Sequence, residues 1–320
     1  MSATIRVGTS GWSYPEGAGS WNGVFYPPRG TRGFRAADEL RYYSERFDTV
    51  EVNSTFYRPP SAATTRRWAE QTPAGFDFSV KLYQRFTHAG MVGRGQRPTP
   101  SPREAGASPS LPSPTAADAD EFRAALDPLA GAGKLGSLLA QFPAGFRSSP
   151  ETREYLADLL LDFRDYPLAI ELRHKSWSDD VARTAALLNE VGAAWVQIDE
   201  PKFRLSIRQD FAANTPGCYY LRLHGRNAAQ WWRHDSPDDR YNYLYSPAEP
   251  EPFGETVKEI STGVRKAYVY LNNHFAAKAV VNATILKHQL GLAVEGEFRE
   301  ELVERYPELK GIVRTEGSLL

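Results

Sequence analysis

Apolar and polar residues alternate with a period of two in eight short segments, a pattern that predicts β-strands. These segments are residues 4–10, 49–54, 76–82, 136–142, 168–174, 193–199, 219–225 and 267–273. Between most of them, apolar residues recur three and four positions apart, which is typical of amphipathic helices. The helical stretches are 38–46, 62–70, 119–129, 151–163, 179–191 and 276–290, with a weaker one at 248–261.

Strands that alternate with helices favour a parallel sheet, and eight such units predict a closed (β/α)8 TIM barrel in one domain, over residues 1–290. The alternative is an open, doubly wound sheet, which usually carries a glycine-rich turn between its first strand and a helix. Here "GTSGWSY" (8–14) follows the first strand, and no helical pattern comes directly after it. The barrel is therefore preferred, with a C-terminal helical extension at 291–320.

One segment departs from this alternation. Residues 92–118 contain six prolines and no aromatic residue. Such a composition buries too little apolar surface to offset the entropy lost on ordering. We expect a mobile insertion in a surface loop, because the strand and helix patterns resume after it.

The polar residues of the strands occupy every second position and so share one face. The outer face of a barrel packs beneath helices and must be apolar, so the polar face is expected to point inward. It ends near the C-terminal ends of the strands, where the active sites of such barrels lie. The inward set is Glu51, Asn53, Lys81, Gln141, Glu171, Arg173, Asp199, Arg222, His224 and Asn272.

Several longer motifs occur in order along the chain. They are "GTSGWSY", "FYPP", "YYSERFDTVEVNSTFYRPP", "FDFSVK", "LLAQFP", "AIELRHKSW", "YLRLHGR", "YNYLYS" and "YLNNHFAAKAVVNA". Together they resemble the YecE-like family (domain of unknown function 72) from about residue 5 to residue 290. The resemblance implies a TIM-barrel fold. It implies no activity, because none is established for the family.

The inward set supplies candidates for two roles. Acids and bases that can transfer protons are the catalytic candidates, namely Glu51, Lys81, Glu171, Asp199 and His224. The substrate-binding candidates are Asn53, His88, Gln141, Arg173, Arg222, Asn272, Asn273, Trp12 and Trp177. Arginine binds carboxylate or phosphate in a two-point fork, and tryptophan rings suit sugars or nucleobases by stacking. Asn273 is expected to cap the last barrel helix, whose first N–H groups would attract an anion.

These candidates predict an enzyme that uses acid–base chemistry on a small anionic or sugar-like substrate at the barrel mouth. The alternatives are a metal-dependent phosphodiesterase or nuclease-like activity, and a barrel that binds a ligand or partner without catalysis. No cofactor is expected; a divalent metal stays an alternative, opposed by the nearby cations. Lys81 as a Schiff-base nucleophile is disfavoured, because neighbouring acids would keep its pKa high.

Composition limits the partners, the cysteine chemistry and the cellular location to be expected. The formal net charge of −1 over 320 residues gives no support to binding nucleic acid by bulk positive charge. The only cysteine, Cys218, excludes an intrachain disulfide and a cysteine-based zinc site. The sequence shows neither a signal-peptide pattern nor an apolar run of membrane-spanning length, so we expect a soluble, cytoplasmic protein. The oligomeric state stays open.

Overall fold

The computed structural model describes residues 3–89, 111–209, 213–231 and 239–316. Within these ranges, nine parallel strands form one sheet, in the order β6-β5-β4-β3-β2-β1-β9-β8-β7. The strands are β1 (Thr4–Ser10), β2 (Thr49–Val52), β3 (Asp77–Lys81), β4 (Leu135–Gln141), β5 (Leu168–Glu171), β6 (Ala194–Trp195), β7 (Gln197–Asp199), β8 (Cys218–Leu223) and β9 (Lys266–Leu271). This nearly closed sheet is the predicted (β/α)8 TIM barrel.

The barrel closes where the sixth predicted strand, 193–199, divides into two. β6 pairs with β5, and β7 pairs with β8. Between them, the Val196 N–H donates to the carbonyl of Ile170 at 3.0 Å. Gln209 bridges the gap, because its Oε1 accepts from the Ile198 N–H (2.8 Å) and its Nε2 donates to the Val196 carbonyl (2.6 Å). A side chain thus replaces the missing part of the strand ladder.

Helices surround the sheet. They are α1 (Glu39–Ser44), α2 (Ala62–Gln71), α3 (Ala116–Gly131), α4 (Pro150–Asp162), α5 (Val181–Asn189), α6 (Glu251–Ile260) and α7 (Lys278–Gln289). In the described ranges, none is both long and apolar enough to cross a membrane. A capping box between Thr115 and Asp118 starts α3, so this helix begins inside the predicted insertion. Residues 92–110 of that insertion lie outside the described residues.

The barrel interior is filled by hydroxyl groups as well as by apolar side chains. The Tyr270 hydroxyl lies 2.6 Å from Thr49 Oγ1 and 2.8 Å from Ser79 Oγ. One layer below, the Tyr268 hydroxyl donates to Asp77 Oδ2 at 2.8 Å. Gly136 leaves room for this ring, because a Cβ there would lie 2.7 Å from the Tyr268 hydroxyl oxygen. The branched aliphatic side chains that dominate many TIM-barrel interiors are replaced here by tyrosines.

The chain after residue 290 packs back onto the barrel. It forms the short strands β10 (Glu297–Phe298) and β11 (Arg314–Thr315) and the helix α8 (Glu300–Arg305). Phe298 and Leu302 are buried in the same core as the barrel residues. The Tyr306 hydroxyl donates to the carbonyl of Ala276 at 2.6 Å, which ties this extension to the connection between β9 and α7.

Candidate functional site

Arg222, on β8, lies at the centre of a buried polar network. Its guanidinium binds Glu51 in a two-point fork, with Nε to Oε2 at 2.9 Å and Nη2 to Oε1 at 2.6 Å. Its Nη1 donates to Gln141 Oε1 at 2.9 Å and to Glu171 Oε2. Arg222 is 1% exposed, and both glutamates are 0% exposed. These charges are therefore paired with one another, as a buried ion requires.

Arg173 carries this network toward the mouth. Its Nε donates to Glu171 Oε1 at 2.6 Å, and its Nη1 lies 3.4 Å from Glu200 Oε2. Burial opposes the charge of Glu171, but Arg173 and Arg222 outweigh it and hold the pKa of Glu171 well below its usual range. The Arg173 side chain is 15% exposed, so it is the charged member of the network that reaches solvent.

His224 is held as a neutral imidazole. Burial and the charge of Arg222 lower its pKa to about 3, against the opposing effect of Glu171. Its Nε2 lies 3.2 Å from Arg173 Nη2, and arginine can only donate, so Nε2 is the acceptor. The imidazole proton then lies on Nδ1, 2.8 Å from Asn272 Nδ2, and the Asn272 amide must be turned so that its Oδ1 accepts this proton. This imidazole is an acceptor for Arg173 and not a cation.

Lys81 is close to these carboxylates but is not bonded to them. Among the described residues, the contact of its ammonium is with the ring of Phe56, 4.2 Å from Nζ to the centroid, with no hydrogen bond or ion pair. Burial and the charge of Arg222 lower the pKa of Lys81 to about 7. The expectation that neighbouring acids keep this pKa high is wrong. The arginines occupy the oxygens of Glu51 and Glu171, so these acids compensate Lys81 only in part.

His88 and Asn53 lie near Lys81. The His88 ring packs edge-on to Phe56 at 4.9 Å, and its Nδ1 lies 2.8 Å from Thr87 Oγ1. Burial, followed by the charges of Lys81 and Arg173, lowers the pKa of His88 to about 3. Within the described ranges, the buried Oδ1 of Asn53 has no hydrogen-bond partner. Both side chains thus present neutral acceptor groups in this part of the barrel.

The structure corrects the placement of Asp199. Its carboxylate binds Arg226 (Nε to Oδ2, 2.8 Å) and the hydroxyl of Tyr245 (2.7 Å), outside the Arg222 network. The break at Val196 interrupts the alternation on which the prediction depended. Glu200, which the sequence analysis missed, contacts Arg173 instead. Burial raises the pKa of Glu200 despite that cation.

Asn273 does not cap a helix, which corrects a second expectation. Its Nδ2 donates to the carbonyl of Tyr243 (2.8 Å) and to Asn282 Oδ1 (2.7 Å). The helix α7 begins five residues after Asn273, at Lys278, with Ala277 at its N-cap position and no side-chain cap. Asn273 therefore fixes the connection between β9 and α7 from the inside.

The two tryptophans expected to bind substrate both make packing contacts. Trp177 is 0% exposed, its Nε1 donates to the carbonyl of Phe146 at 2.8 Å, and it stacks on that ring at 5.4 Å. The Trp12 ring packs edge-on to Trp68 of α2 at 5.6 Å. Among the tryptophans of the described residues, Trp231 approaches the network, with its ring centroid 6.5 Å from that of His224. Position after a strand end does not reveal this difference, since all of them share it.

Comparison with known proteins places the chain in a family. A family model described as "Protein of unknown function DUF72" matches residues 6–305. The chain belongs to the DUF72 family. The resemblance drawn from the sequence motifs is thereby confirmed.

Relatives of this DUF72 chain cover nearly all of it. It is 28% identical to the UPF0759 protein YunF of Bacillus subtilis over 301 residues, which are 91% of this chain and 96% of that protein. A DUF72 family crystal structure from Thermotoga maritima is 32% identical, with a TM-score of 0.70 over 90% of this chain and 99% of its own. A DUF72 family structure from Enterococcus faecalis, 24% identical, has a TM-score of 0.74 over 92% and 99% and supports the fold alone.

The donor groups of this DUF72 barrel bear on the metal alternative. Throughout the ranges described above, no three His, Cys, Asp or Glu side chains are placed together so as to hold a metal ion. Both oxygens of Glu51 and of Glu171 are engaged by arginine donors. A cation at these carboxylates would have to displace a guanidinium.

Proposed function

We propose that this DUF72 protein is an enzyme whose active site is the barrel mouth. Arg173 binds the charge of a small anionic substrate, and Lys81 transfers a proton to or from it. The observation that carries this proposal is the unequal pairing of the charged groups. Arg222 forms ion pairs with both Glu51 and Glu171. The Lys81 amine, by contrast, has no hydrogen-bond acceptor within the described ranges, and the Arg173 side chain is partly exposed.

The two glutamates then serve as positioning residues. Glu51 and Glu171 hold Arg222, and Glu171 also orients Arg173 through the 2.6 Å contact to its Nε. Glu171, with its pKa well below the usual range and both oxygens occupied, is a poor general base, and the oxygens of Glu51 are occupied by Arg222. Lys81, with a pKa of about 7, matches the range in which a general base or acid works best at neutral pH.

An anionic substrate is favoured over an uncharged sugar. Arg173 and Lys81 both bring positive charge to the mouth, and a carboxylate or phosphate would give the guanidinium a two-point partner. Trp177 and Trp12, the rings that suggested sugar stacking, are engaged in packing. Glu200 adds a carboxyl group beside Arg173, and burial raises its pKa.

Direct binding and turnover test this proposal. Small carboxylates and phosphate esters are screened by thermal shift, and those that bind are measured by calorimetry on wild type, Arg173→Met, Arg173→Lys and Arg226→Met. We expect Arg173→Met to weaken binding at least about tenfold, since a charge-assisted hydrogen bond contributes about 1.5–3 kcal/mol. Arg226→Met is the matched control, because Arg226 binds Asp199 outside the network.

Lys81→Met separates binding from chemistry. It should retain most of the affinity for the anion while losing turnover, which is followed by mass spectrometry of the ligand incubated with protein. Equal affinity of wild type and Arg173→Met would contradict the anion site. A ligand that wild type returns chemically unchanged would establish a binding protein and overturn the enzymatic proposal.

A further inference from the structure

We propose that Lys81 is a nucleophile that forms an iminium with a small aldehyde or ketone bearing a carboxylate or phosphate group. This inference rests on the proposed function for the location of the site, and it names the substrate class that the site accepts. The amine adds to the carbonyl carbon while Arg173 holds the anionic group.

The geometry at Lys81 is that of an available amine. Its Nζ lies over the Phe56 ring at 4.2 Å and, in the described part of the chain, forms no hydrogen bond or ion pair. A lysine held in an ion pair would have to break that pair before it could attack. Here the neighbouring carboxylates already bind Arg222 and Arg173, so the lone pair of the neutral amine is free to reach a carbonyl carbon.

Burial and two neighbouring arginines favour the neutral amine of Lys81, against the opposing effect of Glu171 and Glu51. Arg222 and Arg173 are cations within electrostatic range, and their effect adds to that of burial. Lysines next to another cation or in an apolar pocket are activated in this way. With a pKa of about 7, a substantial fraction of Lys81 is neutral at neutral pH. Ordinary surface lysines lack such a fraction, because their reference pKa is about 10.4.

Arg173 is the residue that would bind the carboxylate or phosphate group of the substrate. Its side chain is 15% exposed, and its Nη1 is only loosely paired with Glu200 at 3.4 Å. Nη1 can therefore donate to a carboxylate or phosphate oxygen while Nε keeps its 2.6 Å bond to Glu171. Arg173 lies close enough to Lys81 for its charge to lower the pKa of the amine, so an anion held by this guanidinium would bring the carbonyl group of the same molecule toward Lys81.

The step balances as an addition followed by loss of water. The amine nitrogen forms a bond to the carbonyl carbon, the carbonyl oxygen takes a proton, and the nitrogen releases one. The resulting hydroxyl group is protonated and leaves as water, and the nitrogen lone pair forms the C=N bond. Overall, amine, carbonyl and one proton give an iminium and water, with no change in oxidation state.

Reductive trapping of the full-length protein tests the inference. Wild type is incubated at neutral pH with limiting glyoxylate and cyanoborohydride, and each lysine is followed by peptide mass spectrometry. We expect Lys81 to be modified at least about tenfold faster than the exposed Lys258, a ratio equivalent to about 1.4 kcal/mol. Lys175, which pairs with Asp179 on the surface, is a second internal reference.

A neutral aldehyde separates the nucleophile from the anion site. Loss of the Arg173 charge also raises the pKa of Lys81, so acetaldehyde measures the reactivity of the amine itself in each protein. The rate with glyoxylate relative to the rate with acetaldehyde should fall about tenfold in Arg173→Met. Circular dichroism and thermal unfolding verify that the variant is folded, with Arg173→Lys as the conservative version. If Lys81 reacts no faster than Lys258, the inference is overturned, even where Arg173-dependent anion binding upholds the proposed function. If this relative rate is the same in both proteins, the anionic substrate class is wrong.

Discussion

Arg222 shows how one residue organises the interior of the barrel. Its donors face Glu51, Glu171 and Gln141, so the charge is buried without an unmatched partner. Removing one member of such a network leaves an uncompensated buried charge, which typically costs about 3–5 kcal/mol. The same pairing leaves Lys81 without a carboxylate of its own. Burial and the charge of Arg222 together lower the pKa of Lys81.

A tyrosine layer supports this network from below, and Gly136 is the residue that makes room for it. A Cβ at this position would lie 2.7 Å from the Tyr268 hydroxyl, which donates to Asp77. We expect Gly136→Ala to lower the free energy of unfolding by about 1–3 kcal/mol, because the tyrosine ring must shift in a packed interior. Urea unfolding measures the change.

Gly131→Ala is the matched control for this substitution. Gly131 ends α3, and a Cβ there meets nothing within 4 Å. The control should leave stability unchanged or raise it by up to about 1 kcal/mol, since alanine is the better helix former. Equal effects of the two substitutions would show that the close approach of Tyr268 does not constrain the strand.

The connection between β9 and α7 is the element under most backbone strain in the described structure. Ala276 and Ala277 both lie in the left-handed region, with φ of 53° and 66°. Ala276 is held on both sides, because its N–H donates to Gly19 (2.9 Å) and its carbonyl accepts from Tyr306 (2.6 Å). The loop after β1 and the C-terminal extension therefore fix one turn beside Asn272 and Asn273.

Glycine at position 277 should relieve this strain. Left-handed backbone costs alanine about 1–2 kcal/mol, whereas glycine adopts it freely but loses more entropy on folding. We expect Ala277→Gly to raise the free energy of unfolding by about 0.5–1 kcal/mol, measured as a shift of the denaturant midpoint. Ala279→Gly, inside α7, should lower it by about 1 kcal/mol. A loss of stability in Ala277→Gly as well would contradict the strained turn.

At the scale of the whole molecule, the barrel and its inner polar face follow from the sequence. The helices outside the sheet require an apolar face on every strand, so alternation alone predicts that Glu51, Glu171 and Arg222 lie together inside. The motifs add the family, which the match over residues 6–305 confirms. These features recur in each strand–helix unit, so the sequence pattern is sufficient to predict them.

Structural features that occur only once cannot be predicted from a repeating sequence pattern. The strand break at Val196 depends on Gln209, which is distant in sequence, and it exchanges the positions expected for Asp199 and Glu200. The burial of Trp177 depends on its packing against Phe146. The pKa of Lys81 depends on which acids the arginines occupy, and the composition of the inner face does not determine that pairing.

The titration of Lys81 tests the account most directly. The rate of acetylation of each lysine by a trace of acetic anhydride is followed against pH by peptide mass spectrometry, with Lys258 as the internal reference. Because only the neutral amine reacts, the rate at Lys81 should rise with pH through a midpoint of about 7. A midpoint near 10.5, the ordinary value for lysine, would show that Lys81 is a fully charged surface-like cation and would contradict the proposed site.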